Sequence, residues 1–196
     1  MGTLTVMRIA IFGATGAIGS AIAAQARAAG HEVIPLSRDP EEMRAALTGA
    51  DAVLSAIGPR SNTAAAADAV VTSARALVDA MSATGVRRLV LVSGAATDVP
   101  GDRKRLPHRV AGALVRRVAR HVVDAKQREL DLVRTSALDW TAVRPGRVLS
   151  GAQAGGTRVS LQSPPGVTIA RGDVAAFMLG QADSTTYLRQ APFISR

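Results

Sequence analysis

An α/β fold built on a doubly wound, mostly parallel sheet is predicted by three observations. Short continuous apolar runs alternate with longer helical patterns; a glycine-rich turn joins the first run to the first helix; and no repeat, linker or low-complexity tract divides the 196 residues. The runs Val6–Phe12, Glu32–Leu36, Ala52–Ile57, Arg88–Val92 and Trp140–Val143 read as strands, because they are short, mostly apolar and bounded by turn residues. Between them Ala17–Ala29, Pro40–Leu47, Asn62–Ala83 and a broad stretch over Pro107–Thr135 read as helices, with Gly30 and Gly85 as C-terminal stops. After Pro145 the pattern loosens into a Gly-rich turn (Gly151–Gly156), a strand over Arg158–Gln162, a helix from about Gly172 to Ala182 and an extended piece near Pro192–Ser195. Only about a dozen residues separate Arg38 from Asp51, enough for one short helix but not for a crossover and another strand. The expected sheet, Rossmann-like in outline, therefore lacks the usual third strand. It runs 2-1-4-5-6 in conventional numbering, with the second strand at an edge and a small C-terminal extension on the substrate side. The whole chain reads as one domain.

Composition removes several classes. With no cysteine there is no disulfide scaffold, thiolate zinc site or cysteine nucleophile, and three scattered histidines (His31, His108, His121) give no metal site. No apolar run reaches the length of a membrane span, and Met1–Leu4 lacks the charged and apolar regions of a secretion signal, so a cytoplasmic protein is expected. The 47% hydrophobic fraction includes 38 alanines, and its bulky members are mostly Val, Leu and Ile. Such a mixture suits strands packed under Ala-rich helices. The formal net charge is +9, and residues 101–130 hold nine basic residues against Asp102, Asp124 and Glu129. That segment has no aromatic residue for base stacking and no nucleic-acid motif, so it reads as a solvated face or as a wall that attracts an anionic ligand. Neither a nucleic acid nor a membrane is an expected partner; a small-molecule acceptor is, and the protein is expected to be a monomer or homodimer.

The strongest motif is Gly13-Ala14-Thr15-Gly16-Ala17-Ile18-Gly19, directly after the first strand. Gly13 permits the tight exit, Gly16 a close approach of backbone to a pyrophosphate, and Gly19 close packing of helix on sheet, while the free N–H groups of the helix start face the phosphates. The second strand ends in Ser37-Arg38-Asp39. A hydroxyl and a guanidinium there suit the 2′-phosphate of NADP, and Asp39 precedes Pro40 as a helix cap, so NADP(H) is expected over NAD(H). The bland alternative for Arg38 is a surface arginine at the sheet rim. Ile57-Gly58-Pro59-Arg60, Ser93-Gly94-Ala95 and Arg144-Pro145-Gly146-Arg147 follow three further strands, and their coincidence on one edge of the sheet predicts a cofactor groove. A Tyr-and-Lys proton relay is excluded. The one tyrosine, Tyr187, is followed four residues on by Ala191, and Lys126 is preceded four residues earlier by Val122.

On these residues the chain resembles the atypical short-chain dehydrogenase/reductase group with an NmrA-like NAD(P)-binding domain, nearest to the biliverdin-IXβ reductase/flavin reductase type. The similarity runs through Ile9–Gly16, His31–Asp39, Ala50–Val53, Leu138–Pro145 and Ile169–Leu179, nearly the whole length. The resemblance implies NADPH bound at Gly13–Gly19 and Arg38, with the nicotinamide beside Ser93 and Arg144–Gly146 and a substrate pocket in the C-terminal third. The chain departs from that type at Gly94, Lys126 and Arg147, where the type carries Ser, His and His.

The expectation is a reductase that passes hydride from NADPH to a planar conjugated acceptor: a flavin (FMN or FAD as substrate), a quinone or a tetrapyrrole-like pigment. Its candidate catalytic residues are Ser93, Lys126 and Arg147. The competing expectation is a non-catalytic NADP(H)-binding redox sensor.

Overall fold

The structure is a computed structural model that describes residues 6–196. The expectation drawn from Met1–Leu4 lies outside the described residues. The elements in chain order are β1 (Arg8–Phe12), α1 (Ala17–Ala28), β2 (Glu32–Leu36), α2 (Pro40–Leu47), β3 (Ala52–Ser55), α3 (Ala64–Thr84), β4 (Arg88–Val92), α4 (Leu106–Val118), α5 (Arg120–Thr135) and β5 (Asp139–Pro145). The C-terminal part adds β6 (Arg147–Leu149), β7 (Arg158–Ser160), β8 (Thr168–Ala170), α6 (Arg171–Leu179) and β9 (Phe193–Ser195).

The main sheet has seven strands in the order β2-β1-β3-β4-β5-β9-β7. The β2-β1-β3-β4-β5 part is parallel throughout and is the expected five-strand order: α2 leads directly into β3, which pairs with β1 where a third strand would otherwise intervene. β2 forms the edge, where Pro35, which has no N–H to donate, pairs with Ile11. Alternation along β1 divides the core. Ala10 and Phe12 join the cluster under α2, α3 and α5, whereas Ile9 and Ile11 join the one under α1 and α6. Among the described residues no helix is long and apolar enough to cross a membrane.

Helix ends follow the local chemistry. Asp39 accepts from the N–H groups of Glu41 and Glu42, and Thr63 accepts from Ala66 N–H. Gly30, at φ +85°, closes α1 with the paired bonds Gly30 N–H to Arg27 C=O and His31 N–H to Ala26 C=O, the Schellman arrangement.

The structure corrects the sequence reading in two places. The broad helical stretch expected over Pro107–Thr135 is two helices, broken at Ala119. Asn62 causes the break: its Nδ2 donates to Val118 C=O at 2.8 Å and its Oδ1 accepts from His121 N–H at 3.0 Å, replacing helix bonds with bonds to the α3 approach. In the C-terminal part, β6 and β8 form a separate two-stranded parallel ladder that the pattern did not show. β9 adds to the main sheet parallel to β5, and β7 lies antiparallel outside it.

A buried arginine holds that extension in place. Arg144, on β5, is completely buried, and its guanidinium clasps Asp102 in a fork, Nη1 to Oδ2 at 2.7 Å and Nη2 to Oδ1 at 2.8 Å. Its Nε donates to Ala191 C=O at 2.9 Å, and its flat face lies 3.6 Å from the centre of the Phe193 ring. One side chain thus ties the loop after β4, the sheet and the C-terminal strand. Removing one partner of such a pair strands the other charge in the interior. Asp102→Ala is expected to lose about 3 kcal/mol or more of stability, lowering the thermal midpoint by roughly 10 °C in a chain of this size; thermal unfolding of the two proteins measures it.

Candidate functional site

The carboxyl ends of β1, β3, β4 and β5 meet along one edge of the sheet. Gly13 leaves β1 at φ +88°, and a Cβ there would stand 3.1 Å from the carbonyl of Ala56 beyond β3. Gly16 N–H turns back to Gly13 C=O at 2.9 Å, and Gly16 caps α1 with no side-chain bond. The first N–H groups of α1 therefore have no intrahelical acceptor, and no acidic residue stands in the first turn. A Cβ on Gly19 would lie 2.1 Å from the Gly13 carbonyl oxygen, so only glycine lets the helix start this close to the strand. Thr15, Gly16 and Ala17 are exposed and Ile18 is half-buried. An unpartnered helix N-terminus fronted by exposed backbone, with no competing carboxylate, fits a dinucleotide diphosphate.

At the tip of β2, Asp39 is committed to the cap of α2. Ser37 Oγ accepts from Asp39 N–H at 3.1 Å, and the exposed Arg38 has no hydrogen-bonded or ion-paired partner among the described residues. The tip therefore offers a free guanidinium and a hydroxyl, while its one carboxylate is occupied.

Ile57, after β3, is buried and Arg60 exposed. The positions where Gly58 and Gly94 would carry a Cβ have no heavy atom within 4 Å, so the floor of the groove stays open along both loops. The remaining predicted residues turn inward or serve the frame. Ser93 is buried, and since Thr97 Oγ1 donates to Gly94 C=O at 2.8 Å, the Ser93 hydroxyl donates to Thr97 at 3.2 Å. The Arg144 side chain does not line the groove at all, its donors being spent on Asp102, Ala191 and Thr97. Pro145 is buried, and Gly146 is required by packing, since a Cβ there would lie 2.4 Å from Val167 C=O. Arg147 is exposed, with its N–H bonded to Val167 C=O at 2.7 Å.

Lys126 reaches the back of the groove from α5. Its Nζ donates to Ile57 C=O at 3.0 Å and pairs with Glu129 one turn on. In the sequence Glu129 enters only the charge count of its segment, although its i,i+3 spacing from Lys126 was visible there. Asp173 was missed as well. Its Oδ1 accepts from Ala154 and Gly155 N–H at 2.9 and 2.8 Å and folds the Gly-rich loop against the start of α6. A cleft of about 670 Å³ opens between α4 and the loop after β4, with Arg103, Lys104, His108, Arg109 and Arg116 on its walls beside Asp98 and Asp102.

Burial pushes the Glu129 carboxyl above the usual range, and the Lys126 ammonium pulls it back in part. A carboxyl with a raised folded-state pKa favours the fold while protonated, and that contribution is lost as pH rises through the raised value. The stability of the wild type relative to Glu129→Gln is therefore expected to fall as pH rises from about 4 towards neutrality. Denaturant unfolding of both proteins across that range measures the slope.

A family model described as NAD(P)H-binding matches residues 36–185, from the end of β2 onward, so the glycine turn lies outside the matched residues. Solved structures share the fold over almost the full chain. A Burkholderia pseudomallei protein classed provisionally as exported is 30% identical, with 97% of this chain and 100% of that one covered and a TM-score of 0.77. ChuY, an anaerobilin reductase from Escherichia coli O157:H7, is 20% identical over 95% of this chain and 96% of its own, with a TM-score of 0.74. A Streptococcus pneumoniae protein assigned provisionally as an NADH-flavin reductase is 22% identical over 96% and 98%, also with a TM-score of 0.74. With a match over most of its length, and with a free helix start where the diphosphate would lie, this chain belongs to the NAD(P)H-binding family.

Proposed function

We propose that the protein is an NADPH-dependent reductase that passes hydride to a planar conjugated acceptor such as a flavin, a quinone or a tetrapyrrole. The observation that carries the cofactor choice is at the tip of β2, where Arg38 stands free and the one carboxylate is held by the cap of α2. A ribose 2′-phosphate finds a cation and the Ser37 hydroxyl there, whereas a 2′-hydroxyl finds no acidic acceptor. When bound, the dihydronicotinamide supplies a hydride, which with one proton reduces the acceptor by two electrons.

The chain's own residues divide the work. The first turn of α1 holds the diphosphate, and the open backbone at Gly58 and Gly94 lets a flat ring system lie against the strand ends. Lys126 holds the Ile57 carbonyl and so shapes the groove wall. Its ammonium already faces that carbonyl and Glu129, so the proton comes from solvent. An acceptor that takes hydride directly into a conjugated system needs no stronger acid. Arg147, Arg60 and the basic cleft beside α4 attract an anionic acceptor. The provisional flavin reductase and the anaerobilin reductase among the structural neighbours support this acceptor class.

One observation favours a second reading, a non-catalytic NADP(H) sensor: Ser93, Lys126 and Arg144 all bond within the protein. Calorimetric titration with NADPH and NADH tests the cofactor. Arg38→Ala is expected to weaken NADPH binding about tenfold or more, the value of one charge-assisted phosphate contact, and to leave NADH within about twofold. Equal losses for both would refute the 2′-phosphate assignment. NADPH oxidation on adding FMN or a quinone would establish the reductase, and tight binding without turnover across such acceptors would establish the sensor.

A further inference from the structure

We propose that α4 is a docking element for an anionic lipid surface. The helix is anomalous in this fold: none of its 13 residues is buried. Leu106, Val110, Leu114 and Val118, each four residues apart, form a continuous apolar stripe and are 62–70% exposed, although every other long helix of the chain turns its bulky apolar residues into the core. Along the same helix stand Arg109 and Arg117 with no acidic residue, and residues 101–130 carry six of the nine excess positive charges. A short basic helix with an exposed apolar stripe lies in the headgroup region of an anionic bilayer, stripe toward the acyl chains and guanidinium groups on the phosphates. No described helix is suited to spanning, so the contact is peripheral. It departs from the expectation that a membrane is no partner.

Charge and attachment select this occupant. A second copy seated on the stripe would bring two such +6 segments face to face. A nucleic acid would leave the stripe without a partner, since residues 101–130 hold no aromatic residue on which a base could stack. A protein groove would have to enclose the helix, yet α4 is pinned to the body at both ends. Ser163 Oγ meets Arg105 N–H and His108 Nδ1 near its start, Arg116 Nη1 reaches Ala96 C=O at 3.0 Å, and Asn62 holds Val118 C=O. The stripe is exposed along its length, with Leu106 and Val110 also bordering the cleft beside α4, so a planar surface can seat on it without breaking these contacts.

Co-sedimentation of the full chain with phosphatidylcholine vesicles, with and without phosphatidylglycerol as a major component, tests the proposal. Binding is expected only with the anionic lipid, reduced about tenfold or more by Leu114→Glu and likewise by Arg117→Glu, and weakened by added salt. NADPH affinity, unchanged in both variants, reports that they fold, and it separates failure here from failure of the reductase reading. No sedimentation with anionic vesicles at low salt would overturn the proposal. So would binding that Leu114→Glu leaves intact, or a dimer in solution that Leu114→Glu dissolves.

Discussion

The Arg144–Asp102 pair is the constraint around which the second half of the molecule is arranged. Placing a guanidinium in the interior of a sheet is costly unless its charge is matched and its donors are satisfied. Here both conditions are met: the carboxylate takes the fork, the Ala191 carbonyl takes Nε, and Phe193 covers the face. Lys104 completes the arrangement, donating to Ala95 and Thr97 carbonyls at 2.9 and 2.6 Å and to Asp98. The loop after β4 and the strand β9 are thereby fixed against β5. The extension that carries β6 to β8 is built on that base.

The two halves of the groove are made differently. On the β1–α1 side the surface proposed to meet the cofactor is backbone, shaped by Gly13 and Gly19 and left free of acidic side chains. Backbone N–H groups at a helix start recognise phosphate without selecting what else the ligand carries. Beyond β4 and β5 the buried polar side chains hold loops in place, Ser93 through Thr97, Lys126 through Ile57 and Arg144 through Asp102. In the proposed reductase the groups left to meet a substrate are the exposed cations at the rim, such as Arg60 and Arg147. Such a design is suited to an acceptor recognised by charge and flatness rather than by a directed proton relay.

Much of this was legible in the residues themselves. The α/β class, the short sheet, the glycine turn between β1 and α1 and the Asp39 cap depend on contacts within a few positions, and periodicity and local hydrogen-bonding chemistry encode such contacts directly. The missing strand was equally readable, because chain length bounds what a connection can hold. Tertiary structure alone decided what the charged residues do. Arg144 meets Asp102 across 42 positions and Lys126 meets Ile57 across 69, so nothing near them in the chain shows that their side chains face inward. The break at Ala119 depends in the same way on Asn62, and the exposure of the α4 stripe depends on which neighbours fail to cover it. A backbone conformation is selected mainly by near neighbours, whereas the role of a long charged side chain is set by whatever the fold places opposite it.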